Sequence, residues 1–252
     1  MEQGGKRLNK LNSALPKVSV ICVTFNSADT LPNMLKSYAQ YKTDDTELVI
    51  IDGNSTDSTI TVIKENESLI DFWISEPDGG IYEAMNKAIQ YTKGQWLVFI
   101  GSDDELAQGF GGMAAVLKEP DTIYYGNVIY YGNEFCKVYD DYYLTKLNIC
   151  HQGIFYPGAV FDKYQYDTKY RVYADYHLNL RLWKDPAFKF VHEDYLVASF
   201  PEGGFSFYTK DLVFESERDQ LFKQYLKRTS YYRYLNRTIG AFKTLIRFIL
   251  NK

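Results

Sequence analysis

The strongest constraint in this sequence is an apolar run that ends in two adjacent carboxylates. Trp96-Leu97-Val98-Phe99-Ile100 is typical of a strand buried on both faces, and Gly101-Ser102-Asp103-Asp104 follows it directly. Because an unpaired charge is costly in a protein core, Asp103 and Asp104 must lie where this strand leaves the core. Proteins often hold Mg²⁺ or Mn²⁺ with one or two such carboxylates, substrate phosphates and water. By itself the pair is more simply explained as a solvated acidic turn.

Three earlier segments repeat the pattern of an apolar strand, a polar turn and a helix. Strands are predicted at 17–26, 47–51 and 72–75, and helices at 31–41, 59–67 and 81–91. This alternation predicts an α/β fold with a doubly wound, mostly parallel sheet. Parallel strands end on the same edge, so the residues at those ends should converge in one cleft: Thr24, Phe25, Asn26, Asp52, Asp78, Asp103 and Asp104. Such convergence favours a nucleotide and metal site over a set of separate helix caps.

The alternation stops after Phe110. The sequence then predicts a hairpin around Gly132-Asn133, a strand within 149–156, a helix at 173–183 and strand-like segments at 188–191 and 195–200. One or two long helices are expected from Lys210 onward. We therefore expect a flexible arm at 1–16, one domain at 17–206 with halves at 17–104 and 105–206, and a helical extension at 207–252.

Composition excludes several classes of protein. The formal net charge of −4 gives no reason to expect a nucleic-acid partner. Three cysteines without C-x-x-C spacing indicate a reducing compartment, with neither a disulfide framework nor a zinc site. The first sixteen residues lack the apolar core of a signal peptide, and no stretch reaches the roughly 18 apolar residues of a membrane span. A cytoplasmic location is the expectation. The 23 Tyr and 16 Phe are compatible with stacking on sugar rings.

The C-terminal segment combines apolar and basic residues at helical spacing. Tyr231, Leu235, Ile239 and Phe242 alternate with basic residues such as Arg237. A basic amphipathic helix is typical of peripheral contact with a membrane surface. The alternative is a helix packed on its own domain or on a partner subunit.

Two long motifs extend this interpretation to a family. Ile50-Ile51-Asp52-Gly53-Asn54-Ser55-Thr56-Asp57 and Ser75-Glu76-Pro77-Asp78-Gly79-Gly80-Ile81-Tyr82-Glu83-Ala84-Met85-Asn86-Lys87 resemble the family 2 inverting glycosyltransferases of the GT-A fold. His151-Gln152 and Tyr173-Ala174-Asp175-Tyr176 resemble the acceptor half of bacterial capsule, exopolysaccharide and O-antigen members of the colanic-acid type. The resemblance covers about residues 17–206. It implies transfer of a sugar from a nucleotide-diphosphate sugar, such as a UDP-sugar, to a hydroxyl of a glycan or lipid-linked oligosaccharide acceptor.

The resemblance also implies roles for individual residues. Thr24 and Phe25 would flank the nucleotide base, Asp52 would bind the base or ribose, and Asp103 would contact the ribose. Asp104 would bind Mn²⁺ or Mg²⁺, and Asp175 would be the general base. Further donor contacts are expected from a group of four residues: Asn26, Asp78, Asn86 and His151. For Asp78 and Asp175 a helix cap is the alternative. Many relatives carry a second Asp where this sequence has Gly53, which leaves the identity of the base open.

The implied chemistry requires residues of these types. Displacement at an anomeric carbon needs a diphosphate whose charge is neutralised and a carboxylate that takes the proton of the acceptor hydroxyl. A sugar-nucleotide pyrophosphorylase would instead need a glycine-rich basic loop after the first strand, and the segment from Thr24 to Ala28 has neither glycine nor a cation. A non-catalytic subunit that binds a sugar nucleotide or a glycan remains the second alternative.

Overall fold

Four parallel strands form the centre of the sheet and carry the predicted site. The computed structural model describes residues 1–9, 15–130, 132–201 and 208–250, with Asn9 and residues 240–250 described as backbone only. The central strands are β2 (Val18–Thr24), β3 (Thr46–Asp52), β4 (Phe72–Ser75) and β5 (Trp96–Gly101), in the spatial order β4-β3-β2-β5. All residues of β2 and β3 are buried. The predicted doubly wound arrangement is therefore confirmed for this half of the chain.

Helices cover both faces of these strands. They are α1 (Leu31–Tyr41), α2 (Thr59–Glu65) and α3 (Ile81–Ile89). The apolar stripe predicted for α1 is buried, with Pro32 in its first turn. In α3 the buried face includes Ala84, Met85 and Ala88, whereas Ile81 is exposed at the helix start. Two large apolar clusters lie on opposite sides of the sheet and hold it in place.

The second half extends the same sheet. It contains β6 (Glu105–Leu106), α4 (Phe110–Val116), β7 (Thr122–Tyr130), β8 (Asn133–Phe135), β9 (Ile154–Pro157), α5 (Ala174–Lys184) and β10 (Lys189–Phe200). The order continues β5-β9-β7-β10-β6, and β9 is antiparallel to both of its neighbours. The strand predicted within 149–156 begins only at Ile154, because His151–Gly153 forms a 3-10 turn. The two strand-like segments at 188–200 are one strand whose pairing with β7 shifts register.

The prediction of a flexible N-terminal arm is wrong for residues 1–9. Glu2–Gly4 forms β1, which pairs antiparallel with the edge strand β4. Arg7 forms an ion pair with Glu47, whose buried carboxylate also accepts hydrogen bonds from Ser19 Oγ and the backbone N–H of Lys93. Residues 1–9 are held in place for two reasons. The backbone groups of the edge strand β4 are paired by β1, and the buried carboxylate of Glu47 is paired by Arg7. Residues 10–14 lie outside the described part of the chain.

The C-terminal extension packs on the acceptor half. It consists of α6 (Leu212–Tyr225) and α7 (Arg228–Leu250), and the predicted boundary at 206 lies outside the described residues. Asp211 caps α6 by accepting from Phe214 N, and it also accepts from the backbone N–H of Val172 and Tyr173, just before α5. The start of α7 packs through Tyr234, whereas Ile239 is 50% exposed. Within the described residues, no helix has the length and apolarity to cross a membrane.

His177 on α5 should make the stability of the protein depend on pH. Burial and the nearby Arg181 lower its pKa to about 4, and its ring packs against Tyr170 and Tyr225. The unfolded chain takes up the proton near pH 6.5, whereas the folded protein resists it, so stability is lost as the pH falls. Between pH 7 and pH 5 this loss should be about 2 kcal/mol.

The measurement is urea unfolding of wild type and His177→Gln at both pH values. The stability of the variant relative to wild type should improve by that amount at pH 5, which isolates His177 from other titrating groups. His192→Gln, which leaves His177 in place, is the control and should follow the wild type. An unchanged difference between the two pH values would contradict this assignment.

Candidate active site at the carboxyl-terminal edge of the sheet

A crevice is expected where the winding of the sheet reverses. From β2 the chain goes to β3 on one side, and it later returns to β5 on the other side. Connections that leave in opposite directions open a crevice at the carboxyl ends of the strands, and ligands bind there in such sheets. The loops after β2 and β5 meet at this point, where Ser27 Oγ and Ser102 Oγ lie 2.8 Å apart. The predicted convergence of these strand ends is observed.

Asp103 and Asp104 follow β5 and differ in their surroundings. Asp103 is exposed, whereas Asp104 is buried and accepts a 2.6 Å hydrogen bond from Gly101 N. A methyl group on Gly101 would lie 2.7 Å from Asp103 Oδ1 and 3.0 Å from Asp104 Oδ2, so a side chain at this position would displace the carboxylates. Burial and the charge of Asp103 raise the pKa of Asp104 to about 6. The charge of His151 and the hydrogen bonds to Asp104 therefore do not offset the effect of burial on its pKa.

This pair of carboxylates fits a divalent cation shared with a ligand. No cluster of three or more His, Cys, Asp or Glu that could hold a metal occurs among the described residues. A closed protein cage is therefore not the arrangement found in that part of the chain. Mg²⁺ is commonly held by one or two carboxylates together with substrate phosphates and water. Asp104 is buried with little positive charge near it, and Asp103 lies beside it, so the pair could supply the protein ligands of such a cation.

Asp175 lies in the first turn of α5, and four donors approach its carboxylate. Oδ1 accepts from Tyr176 N at 2.7 Å and lies 3.0 Å from the Tyr82 hydroxyl. Oδ2 accepts from Asn148 Nδ2 at 2.8 Å and lies 3.4 Å from His151 Nδ1. Asp175 is not the N-cap of α5, because Tyr173 occupies that position. The helix-cap alternative is wrong for this residue, and its carboxylate is held by partners from three other segments.

His151 connects this carboxylate with the end of β5. Burial lowers the pKa of His151, but the hydrogen bond to Asp175 and the charges of Asp104 and Asp103 outweigh it, so the pKa is raised overall. The neighbouring Gln152 donates a hydrogen bond to Asp104. The turn at His151–Gly153 therefore lies between the predicted metal ligand Asp104 and the predicted general base Asp175. This turn brings Asp104 and Asp175 into one site.

Asp52 does not face the crevice, which corrects the predicted contact with the base or ribose. Its side chain is 0% exposed. The carboxylate accepts three hydrogen bonds, from Ser55 N at 2.9 Å, Ser55 Oγ at 2.5 Å and Ser75 Oγ at 2.6 Å. Asp52 therefore fixes the loop after β3 and joins it to the end of β4.

Two predicted donor contacts are also engaged within the protein. Asn26 has a φ of 49°, and its Oδ1 accepts from Thr56 N at 2.8 Å, so it joins the loops after β2 and β3. Asn86 Nδ2 donates to Tyr166 O, and Asn86 Oδ1 accepts from Tyr166 N, both at 2.9 Å. These two hydrogen bonds to the backbone of Tyr166 connect α3 to the acceptor half. The predicted contact of Asn86 with a donor is not supported by this arrangement.

The remaining predicted residues lie around Gly53. Phe25 is 60% exposed, whereas Thr24 is buried and its Oγ1 has no hydrogen-bond partner among the described residues. Asp78 Oδ1 accepts from Gly80 N at 2.9 Å just before α3, but Gly80 is itself the N-cap and no side chain among the described residues caps this helix, so the capping alternative is wrong for Asp78. Burial and the charges of Glu83 and Asp52 raise the pKa of Asp78 against the opposing effects of Gly80 N–H and Lys87.

A family model decides the assignment of the chain. The model described as Glycosyl transferase family 2 matches residues 19–214. The chain belongs to glycosyl transferase family 2. A PGL/p-HBAD biosynthesis glycosyltransferase of Mycobacterium tuberculosis is 38% identical over 204 residues, which are 76% of this chain and 79% of the relative. A GalNAc(5)-diNAcBac-PP-undecaprenol beta-1,3-glucosyltransferase of Campylobacter jejuni is 29% identical over 103 residues, 38% of this chain and 32% of that protein.

Solved structures establish the fold of this glycosyltransferase. S. aureus TarS 1–349 in complex with UDP-GlcNAc has a TM-score of 0.59 at 16% identity, covering 83% of this chain and 71% of that one. Mannosyltransferase PcManGT from Pyrobaculum calidifontis, in complex with GDP-Man and Mn²⁺, has a TM-score of 0.60 at 16% identity, covering 84% and 64%. This chain spans 42% of a longer TarS structure. The predicted GT-A fold is confirmed.

Sequence reasoning missed two residues that hold Asp175 in the glycosyltransferase. Tyr82 lies 93 positions from Asp175, and Asn148 lies 27 positions from it. Tyr82 belongs to a motif that carries the family resemblance, but on a helix it is more simply taken as an apolar contact. Asn148 follows no strand and has no distinctive spacing. No sequence signal would have identified it.

We predict that Asp52 contributes to stability rather than to ligand binding. Asp52→Ala should lower the free energy of unfolding by about 3 kcal/mol, because three donors, one of them the buried hydroxyl of Ser75, would lose their acceptor. Ser75→Ala, which removes only one of the three bonds, should cost about 1 kcal/mol. Urea unfolding measures both effects. Undiminished stability of Asp52→Ala combined with lost nucleotide binding would mean that Asp52 acts on the ligand.

Proposed function

We propose that this protein is a metal-dependent inverting glycosyltransferase of bacterial surface polysaccharide synthesis. It would move a hexose or N-acetylhexosamine from a nucleoside-diphosphate donor, such as a UDP-sugar, to a hydroxyl of a glycan or lipid-linked acceptor. The observation that carries the proposal is the joint position of Asp104, His151 and Asp175 at the carboxyl-terminal edge of a GT-A sheet. The neighbours of this fold include complexes with UDP-GlcNAc and with GDP-Man and Mn²⁺.

Asp104 and Asp103 are the residues that would hold the donor end of the reaction. A bound Mn²⁺ or Mg²⁺ supplies Lewis-acid neutralisation of a leaving diphosphate. Asp104 would be the protein ligand of such an ion, and the exposed Asp103 would contact the ribose. Both carboxylates lie against Gly101, since a methyl group there would be 2.7 Å from Asp103 Oδ1 and 3.0 Å from Asp104 Oδ2. Their positions are defined before the donor binds, which limits the entropy lost in the complex.

Asp175 would take the proton of the acceptor hydroxyl. The hydroxyl oxygen forms the new bond to the anomeric carbon, the bond to the diphosphate breaks, and the diphosphate keeps the electron pair. Attack from the face opposite the leaving group inverts the anomeric configuration. A carboxylate has about four acceptor positions, and protein donors approach all four in Asp175. The contact to His151 is the longest, so the acceptor hydroxyl would replace that one.

Isosteric amides test the two roles separately. Asp104→Asn should abolish transfer and weaken donor binding in the presence of Mn²⁺, because the cation loses a charged ligand. Asp175→Asn should bind the donor normally but lose about 10²–10⁴ in rate, the usual range for a general base. Release of the nucleoside diphosphate from a panel of nucleotide sugars measures turnover, and calorimetry measures binding.

Asp121→Asn is the matched control, since Asp121 precedes β7 at the opposite edge of the sheet and should leave both quantities unchanged. Full transfer by either site variant would contradict the roles of Asp104 and Asp175. A wild-type protein that binds the donor but turns over none of the nucleotide sugars with any acceptor offered would favour the non-catalytic binding subunit.

The second half of α7 is a candidate for contact with the membrane that carries a lipid-linked acceptor. The related C. jejuni protein has an undecaprenol-linked molecule in its name. Packing on the domain involves the first turns of α7, where Tyr234 is buried and Arg233 lies 3.8 Å over the Tyr142 ring. The sequence beyond Leu235 contains Arg237, Lys243 and Arg247 among apolar residues. Such a segment suits an anionic surface.

We predict that the full chain sediments with vesicles containing phosphatidylglycerol and not with vesicles of phosphatidylcholine alone. A chain ending at Leu235, which keeps the packed turns, should lose at least about 10-fold in vesicle affinity, since each basic residue near the surface contributes about 1 kcal/mol. Its melting temperature should stay close to that of the full chain. Equal sedimentation of both chains would exclude a membrane role for this segment.

A further inference from the structure

The carboxylate of Asp78 lies at the same edge of the sheet, and the function proposed above gives it no specific role. Asp52, the acid at the end of β3, is 0% exposed and accepts three hydrogen bonds from Ser55 and Ser75, so its carboxylate is turned away from a ligand. The next position, Gly53, has no side chain. The carboxylate of Asp78 nevertheless lies where a side chain at position 53 would be. A methyl group on Gly53 would be 2.9 Å from Asp78 Oδ2 and 3.4 Å from Asp78 Cγ, so the side chain of Asp78 occupies the space beside Gly53.

The two oxygens of Asp78 differ in their partners. Oδ1 accepts the hydrogen bond from Gly80 N, which orients the carboxylate. No donor within the described residues bonds to Oδ2. Lys87, the cation that acts on Asp78 electrostatically, has its Nζ 2.9 Å from Glu76 Oε1 and 3.3 Å from Pro77 O. Oδ2 is therefore an oriented acceptor without a partner in that part of the chain.

Two neighbours give this acceptor the surroundings of a slot for a planar ring. The methyl position on Gly53 that lies 2.9 Å from Asp78 Oδ2 also lies 3.3 Å from Phe25 Cδ2, and the Phe25 ring is largely exposed. Aromatic faces of this kind stack on flat heterocycles. On the adjacent strand, Thr24 Oγ1 is buried and unpartnered among the described residues, while Thr24 O accepts from Gly53 N. A flat apolar face and an oriented acceptor therefore lie together beside Gly53.

We propose that Asp78 is the residue that reads the donor base, by accepting the ring N–H of uracil or guanine at Oδ2 while the base lies against Phe25. This inference rests on the proposed function, since it assumes that the crevice binds a nucleoside diphosphate. Uracil N3–H and guanine N1–H are donors. Cytosine N3 and adenine N1 are acceptors, which would face the carboxylate with lone pair against lone pair. A site that leaves a polar group unpaired in this way rejects the wrong ligand strongly.

The proposed base contact of Asp78 also requires that position 53 has no side chain. Asp78 belongs to the loop after β4, and its carboxylate reaches across the end of β3 only because position 53 is empty. A Cβ there would approach Oδ2 to 2.9 Å, closer than packed atoms tolerate, and would push the carboxylate aside. The sequence thus places the base-reading acid on the loop after β4 instead of directly after Asp52.

N-methylated nucleotides test the proposal without an acceptor or turnover. Calorimetry with Mn²⁺ compares UDP with 3-methyl-UDP, GDP with 1-methyl-GDP, and both with CDP and ADP. The wild type should bind UDP or GDP at least 10-fold more tightly than the methylated counterpart, and CDP and ADP more weakly still. The pair that shows the difference identifies the base as uracil or guanine.

Two variants assign that selectivity to Asp78. Asp78→Ala should lower the affinity for the preferred nucleotide to that for its methylated form while leaving the methylated form unaffected, which loss of the Gly80 contact alone would not do. Gly53→Ala keeps the carboxylate but displaces it, and should also reduce the ratio. Asp121→Ala, at the opposite edge of the sheet, is the control and should keep it.

Three results would overturn the proposal. Equal wild-type affinity for a nucleotide and its methylated form would do so, as would full selectivity in folded Asp78→Ala. Both would leave the proposed glycosyltransferase function intact, since donor binding would persist. Failure of the wild type to bind any nucleoside diphosphate would overturn this inference together with the proposed function.

Discussion

The candidate site depends on the register of β2 with its two neighbours, β3 and β5. Thr24 pairs with Asp52 on one side, and Val23 pairs with Gly101 on the other, so the three strands end within one residue of each other. All residues of β2 and β3 are buried on both faces of the sheet, and a shift in register would disturb packing along their whole length. The three strands therefore end level with one another, and the loops that follow β2 and β5 meet at this edge of the sheet.

Carboxylates at this edge have different functions because they have different donors. Asp52 receives three hydrogen bonds and is a structural anchor. Asp104 has few donors for its depth of burial, which raises its pKa and suits it to a cation. Asp78 has one bonded and one unbonded oxygen among the residues described. Residue type alone does not distinguish these cases, since the free energy of a buried charge depends on how completely it is hydrogen-bonded.

The aromatic content of the chain has a different meaning in the structure from the one its composition indicated. Tyr38, Tyr156 and Tyr170 are fully buried, and Tyr82 and Tyr176 are nearly so. Their hydroxyls bond to backbone carbonyls or to polar side chains, as Tyr82 does with Val172 O and Asp175. Much of the tyrosine enrichment therefore builds the core between α3, α5 and α6. The aromatic residue proposed to stack on a ligand, Phe25, instead presents an exposed ring.

The sequence by itself determined the alternation of strands and helices, the edge at which the acids gather and the family, because hydrophobic period and short motifs are local properties. It could not determine which acids are free. The donors that bond to Asp52 and Asp175 include Ser75 and Tyr82, which lie 23 and 93 residues away. The carboxylate beside Gly53 comes from the loop after another strand. Only the tertiary structure brings such partners together, and it therefore decided which carboxylates stabilise the fold and which remain available to a ligand.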